Sequence, residues 1–293
     1  MFIKCFFMKT LVLTFILISI NFLIYSHEEP SKTLNEKKEK QERQKQIIQA
    51  KIKTSTAWKY VFANEKETEV KNKVFVMGYD NKGNMSYIEA YKNDSLQERD
   101  EISYNEKGDM ISQIDFSADM KIMEKDFFYF DNDGRVFSGG TKNSNDSIME
   151  TFKIVHGKNH LDLQFEKYKS SGQKVYWFTY KYDQDFDKSD FVEAIRYDSL
   201  GKVVMKAEKK YNEKGKQIEK IIFDGDLKVS YSFIYEYDTK GNNTAITKKQ
   251  ANGTIVWKDY YGYDNYGNCK EIKSYDINTT LTSHIQYSFE YYK

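Results

Sequence analysis

A six-residue pattern, Tyr-Asp-x-x-Gly-Asn, limits what this chain can fold into more than any other feature. It occurs as Tyr79-Asp80-Asn81-Lys82-Gly83-Asn84, again from Tyr237 to Asn242, and again from Tyr263 to Asn268. Looser copies begin at Tyr104, Phe130, Tyr197 and Tyr211. An Asp at the first position of a turn accepts hydrogen bonds from backbone N–H groups further on. A Gly three residues later takes the left-handed conformation that other residues resist. Together they specify a type I turn closed by a Gly bulge, a common hairpin connection. The aromatic before the Asp is then the last side chain of the incoming strand. Asp80, Gly83, Asp238, Gly241, Asp264 and Gly267 are therefore read as structural turn residues.

The pattern repeats. Its aromatic falls at 79, 104 and 130 and again at 211, 237 and 263, in steps of 25 or 26 residues. A constant step of this size marks a repeat architecture. A weaker set of turns lies halfway between, at Tyr91 to Asp94, Phe116 to Asp119, Tyr168 to Gly172, Phe223 to Asp226, Gln250 to Gly253 and Tyr275 to Asn278. The intervening segments alternate. Val229, Tyr231, Phe233, Tyr235 and Tyr237 share one face, as do Tyr176, Phe178, Tyr180 and Tyr182, and Ile285, Tyr287, Phe289 and Tyr291. Period-two alternation between turns is the mark of half-buried antiparallel strands.

The expected fold class is all-β, a long antiparallel meander of repeated hairpins with about sixteen strands by turn spacing. Laid flat it would be about 75 Å wide. Sheets beyond about ten strands curl or close, so a coiled or rolled sheet is expected, with the motif-Tyr face inside. The middle is less regular. Asn143 to Asp146 and His156 to Leu161 have loop composition, and the Tyr182 to Asp187 stretch lacks the Gly. An irregular seam is expected near residues 140–190.

The first 26 residues read as a signal peptide. Lys4 and Lys9 precede an apolar run from Leu11 to Tyr25, which is short for a membrane span of about 20 residues. The alternative is a membrane tether by an uncleaved N-terminal helix. Residues 27–56 are a charged spacer, a short solvated helix or a disordered leader, in which Glu36 with Lys40 and Glu39 with Arg43 are spaced to pair on a helix. Residues 57–293 form the hairpin-repeat domain. Cleavage removes two Lys and no acid, so the mature charge stays near balance and gives a nucleic-acid partner no electrostatic footing. No membrane association is expected after signal cleavage. The localisation expected is export, to the periplasm, the cell surface or the medium.

Paired Tyr-Asp-x-x-Gly-Asn units in an exported, Tyr-rich chain resemble the Rhs/YD-repeat proteins. The resemblance rests on Tyr79-Asp80 with Gly83-Asn84, Tyr237-Asp238 with Gly241-Asn242, and Tyr263-Asp264 with Gly267-Asn268, and spans about residues 70–293. It implies a long β-sheet coiled into a shell or spiral, a bacterial cell-surface setting, and carbohydrate binding or toxin delivery.

No catalytic constellation, cofactor motif or metal site is read from the chain. Cys5 lies in the leader and Cys269 stands alone, so an internal disulfide is excluded. His27, His156, His160 and His284 are scattered. Asp131-Asn132-Asp133-Gly134 begins like a calcium loop, but Arg135 follows and Lys142 occupies the twelfth position. Gly139-Gly140 reads as a loop. The functional candidates are aromatics out of phase with the core face, namely Trp177, Tyr260, Phe127 and Tyr129. Rigid amphipathic rings of this kind stack on sugars or anchor proteins. The expectation is a non-enzymatic exported protein binding a carbohydrate or an envelope or surface protein. The alternatives are a structural envelope scaffold, or an enzyme with a cryptic site in the irregular middle.

Overall fold

The computed structural model describes residues 34–63, 66–157, 162–182 and 191–292. The segment read as a signal peptide, His160 and Asp183–Asp187 lie outside them. A helix α1, Leu34–Gln49, leads into the sheet. The strands are β1 Ile52–Ala63, β2 Lys66–Tyr79, β3 Met85–Lys92, β4 Ser95–Tyr104, β5 Met110–Ser117 and β6 Ile122–Phe130. They continue with β7 Val136–Asn143, β8 Ile148–His156, β9 Asp162–Lys169, β10 Lys174–Tyr182, β11 Phe191–Asp198 and β12 Val203–Tyr211. The last are β13 Gln217–Phe223, β14 Val229–Tyr237, β15 Asn243–Gln250, β16 Ile255–Tyr263, β17 Cys269–Asp276 and β18 Leu281–Tyr291. No helix among the described residues is long and apolar enough to cross a membrane.

Each strand pairs antiparallel with the next, and β1 pairs both with β2 and with β18. The meander is thus a closed 18-stranded ring. Closure removes the two exposed edges that an open sheet of this length would offer to other chains. The count exceeds the sequence expectation for identifiable reasons. The spacer boundary at residue 56 cut into β1, which starts at Ile52. The Asn143 to Asp146 stretch, read as a loop, is a regular turn joining β7 to β8. Ladders run unbroken from β6 through β10, so the expected seam near 140–190 is no break in the described sheet. The real seam is the β1–β18 joint.

The turns explain the motif residue by residue. Asp80 Oδ1 accepts the N–H of Lys82 and of Asn84, and Asn84 Nδ2 donates to Asp80 Oδ2 at 2.9 Å. Asp238 with Asn242, and Asp264 with Asn268, do the same. At Asn105 and Asp109 the pair is swapped and the contact kept. Gly83, Gly241 and Gly267 have φ of 73°, 86° and 84°. One residue of register is gained just before the aromatic of each turn, the bulge expected of this connection.

The motif aromatic has a second task. Tyr104, Tyr211, Tyr237 and Tyr263 donate their hydroxyls to the carbonyls of Met85, Phe191, Gln217 and Asn243, at 2.9, 3.0, 2.7 and 2.6 Å. Each tyrosine ends a strand and clasps the first residue of the strand before it. His156 does likewise, its Nε2 lying 3.0 Å from the Val136 carbonyl. The stretch from His156, read as loop, therefore begins with a clasp at the end of β8. Positions 130, 156 and 182 keep the 26-residue step, which lengthens to 29 between 182 and 211. The looser copy at Tyr197 belongs to the opposite rim, at the β11–β12 turn.

Two apolar clusters lie on one face of the sheet. One gathers Ala57, Phe75, Met77, Ile88, Ile272, Ile285 and Tyr287 around the seam. The other gathers Ile154, Phe165, Phe178, Tyr180 and Phe191 on the far arc. Helix α1 adds Ile47 to the first cluster and meets turns on both sides of the seam, Ile48 at Gly83 and Gln46 at Gly267. A helix can reach both turns only from the concave side, so this is the inner face, and the motif tyrosines lie on it as expected. The inner face also carries acids. Asp100 is directly opposite Asp115, which is opposite Glu124, with Gln113 donating to Asp115 at 3.1 Å.

Gly139 and Gly140 are not a loop. They sit in mid-β7, where a Cβ at Gly139 would fall 2.7 Å from the Phe152 ring and one at Gly140 would fall 2.4 Å from the Glu150 carbonyl. The missing side chains let Phe152 and Phe127 lie across the strand, one on each face.

Phe130 is a motif aromatic without a hydroxyl, and Met110 opens the strand before it. Phe130→Tyr is expected to add a clasp and stabilise by about 1 kcal/mol, while Tyr263→Phe costs about 1 kcal/mol. Urea unfolding midpoints of the two variants check this, and movement of both in one direction would contradict it.

Candidate functional surfaces on the outer wall and at the mouth

The strand register puts Trp177, Tyr260, Phe127 and Tyr129 on the outer wall, as their phase implied. They do not converge. Phe127 and Tyr129 are on β6, Trp177 on β10 and Tyr260 on β16, four and six strands apart. Nor are the ring faces bare. Trp177 stacks on its cross-strand partner Tyr197 at 5.1 Å, and Lys174 Nζ lies 4.9 Å over the indole. Lys142 lies over Phe127 and Lys258 over Tyr260. Tyr129 meets Phe127 edge-on and Tyr260 meets Tyr275 edge-on. Tyr129 and Tyr260 keep the most surface, at 57% and 46% exposed.

The same construction recurs round the wall. Arg99 lies over Tyr87 and ion-pairs with Glu89 at 2.6 Å and Glu101 at 3.0 Å. Glu193 and Glu208 face each other across β11 and β12, and Lys206 bridges them at 2.7 and 2.8 Å. Lys258 joins Glu236 and Lys210 joins Glu219. Glu166 takes hydrogen bonds from Lys174, Tyr168 and Gln164. Burial works to raise the Glu166 carboxyl, but these donors outweigh it and hold it below the usual range. Burial and the bond to Glu89 push the Tyr91 hydroxyl up to about 12.

The sequence reading missed the densest of these groups, which straddles the seam. Beyond its last pair with β18, β1 and the start of β2 pair only with each other, forming a hairpin tip. Side chains lay this tip on β17 and β18. Tyr60 stacks on His284 at 4.5 Å, and Tyr60 and Lys71 both bond Gln286. His284 Nδ1 is 2.9 Å from Glu67, and Nε2 is 3.3 Å from Glu271. Trp58 Nε1 donates to Ser288 at 2.9 Å. The period-two spacing of Trp58 with Tyr60 and of His284 with Gln286 was available in the chain. Which first-strand residues meet which last-strand residues follows only from closure.

At the mouth, α1 is held through its last turns. Gln44 donates to the motif residue Asn84 at 2.5 Å, and Ile47 is buried. A cavity of about 20 Å³ lies between Arg43, Gln46, Met77, Tyr79, Cys269 and Tyr287, room for a single water. Burial pushes the Cys269 thiol up to about 12, which leaves little reactive thiolate. Asp131 serves its own turn, accepting the N–H of Asp133 and Arg135 and pairing with the Arg135 guanidinium. Among the described residues no three His, Cys, Asp or Glu side chains are grouped to hold a metal.

No family model and no curated protein matches the chain. Among solved structures, a porin-like protein from Bacteroides uniformis aligns with TM-score 0.43 and 7% identity, over 82% of this chain and 98% of that one. A porin-like protein from Bacteroides vulgatus aligns with TM-score 0.30 and 11% identity over the same shares. The complex of TcdB2, TccC3 and Cdc42 aligns with TM-score 0.32 and 13% identity, over 74% of this chain and 13% of that one.

One inner-wall group has an unusual setting. Asp259 is 1% exposed, between Ile246 and Ser274 on the neighbouring strands, and its Oδ2 has no hydrogen-bond partner. Burial raises its pKa from 3.8 to about 6. The native state therefore binds this proton more tightly than the unfolded chain. Its contribution falls as pH rises through that interval and the penalty is complete above about pH 6. Asp259→Asn is expected to melt higher than the parent at pH 8 and to lose that advantage near pH 4. An equal difference at both pH values would contradict the assignment.

Proposed function

We propose that this chain is an exported, non-enzymatic β-barrel that serves as a structural scaffold of the cell envelope or surface. The observation that carries this reading is the outer wall. It is charged at mid-strand on most of the ring, its ions are paired across strands, and several of its rings, Trp177, Tyr260, Phe127 and Tyr87 among them, lie under Lys or Arg of the same chain. A wall facing lipid needs an apolar band about 25 Å tall, and this wall carries carboxylates and ammonium groups where that band would lie. The reading therefore puts the barrel in water, next to the envelope rather than within it. Closure, clasped strands and a helix docked at the mouth suit a rigid body. The resemblance to Rhs/YD-repeat proteins supports the surface setting.

A second reading, carbohydrate recognition, is favoured by the exposure of Tyr129 and Tyr260. Stacking a sugar on Trp177 would require Lys174 to leave both the indole and Glu166.

Two measurements separate the readings. Protease shaving of intact cells should release the barrel, and a glycan array should show no specific binding by the parent chain. Specific glycan binding that disappears in Trp177→Ala or Tyr129→Ala would overturn the scaffold reading in favour of the second.

A further inference from the structure

The turns of the ring fall into two sets. The motif turns and α1 lie at one rim. The other rim, at the β3–β4, β5–β6 and succeeding alternate turns, has a different chemistry. Met120, Met149, Leu200, Leu227, Ile255 and Ile277 lie in or beside six of its turns, and each is 40% or more exposed, Leu200 reaching 91%. Single exposed apolar residues are ordinary, but these gather at one rim, in or beside turn after turn.

Two of them are also held against conformational preference. Met120 and Leu227 have φ of 59°. Their N–H groups close the turn onto Ser117 and Asp224, the place taken by Gly172, Gly201 and Gly253, and by Asp146 and Thr279, in sister turns. A left-handed conformation is unfavourable for a non-Gly residue. At Met120 and Leu227 it is borne by a side chain that is also apolar and exposed. Strain retained at an exposed tip points to a use outside the fold.

The occupant must be wide, because the tips lie on arcs from β5–β6 round to β17–β18. Charge identifies it. Met120 is bracketed by Asp119 and Lys121, Leu227 by Asp226 and Lys228, and Leu200 by Asp198 and Lys202. An acid–apolar–base order is complementary to itself when two copies meet about a two-fold axis, as isologous interfaces require. An anionic lipid surface would meet an acid beside every Lys at these tips. We propose that two copies of this chain associate rim to rim through these turns, apolar tip on apolar tip, with the Asp of one copy facing the Lys of the other.

The contact would give the scaffold a means of assembly, but it is tested apart from that reading. Sedimentation equilibrium of the exported chain should show a concentration-dependent dimer. Leu200→Asp with Leu227→Asp should weaken it by at least about tenfold. Lys228→Asp should also weaken it, because acid then faces acid. Adding Asp226→Lys to Lys228→Asp restores a self-complementary order and should restore the dimer. All these sites are exposed, and an unchanged melting temperature shows that each variant is folded. A monomer at every concentration, a dimer indifferent to Leu200→Asp with Leu227→Asp, or flotation on phosphatidylglycerol vesicles by a chain that stays monomeric would each overturn the proposal. Surface exposure with a monomeric chain would leave the scaffold standing and remove only this contact.

Discussion

One side-chain oxygen sets each described reversal at the motif rim. An Asp or Asn oxygen takes two backbone N–H groups that a tight turn would otherwise leave unmade, at distances of 2.8 to 3.0 Å. An unmet backbone donor costs about 1–3 kcal/mol when buried, and the turn is repeated throughout the chain. Fixing the turn fixes the bulge, and the bulge fixes which side chains face inward. Tyr104, Tyr211, Tyr237 and Tyr263, each beside its turn, then tie their strands to the one before. A sheet built from such units grows hairpin by hairpin with mostly local contacts. Only the β1–β18 joint requires residues about 230 positions apart to meet.

That division explains what could be read from the chain. Tyr79-Asp80-Asn81-Lys82-Gly83-Asn84 carries its hairpin in a handful of neighbouring residues, so turns, bulges and the inner face were legible. His156 was not, because a ring nitrogen does there what a phenol does elsewhere, and composition alone marks the stretch as loop. Gly139-Gly140 misleads for a similar reason. Glycine pairs usually mean a turn, but here they make room for Phe152 and Phe127 across a strand. The joint itself was invisible. Trp58, Tyr60, Gln286 and His284 are ordinary strand residues until closure brings them together.

The outer wall shows why phase can place a residue without assigning its work. Trp177 and Tyr260 were singled out because they interrupt the core pattern, and they do point outward. What phase cannot show is the cation laid over each ring, since Lys174 and Lys258 reach their partners through long flexible side chains. Such a wall hides aromatic area while staying wet, the amphipathic use of lysine stems and rings. The far rim makes the opposite choice, with apolar tips left in the open.

Closure of the sheet into a ring can be measured directly. Thr56 and Ser288 are directly opposite each other on β1 and β18. With Cys269→Ser as background, Thr56→Cys with Ser288→Cys should form an intramolecular disulfide under mild oxidation, shifting the monomer's mobility on a non-reducing gel. Ile234→Cys with Thr247→Cys, opposite each other within the meander, is the positive control. A cross-link in the control and none at the β1–β18 joint would mean an open sheet, and the closed barrel, its inner face and its two rims would have to be given up.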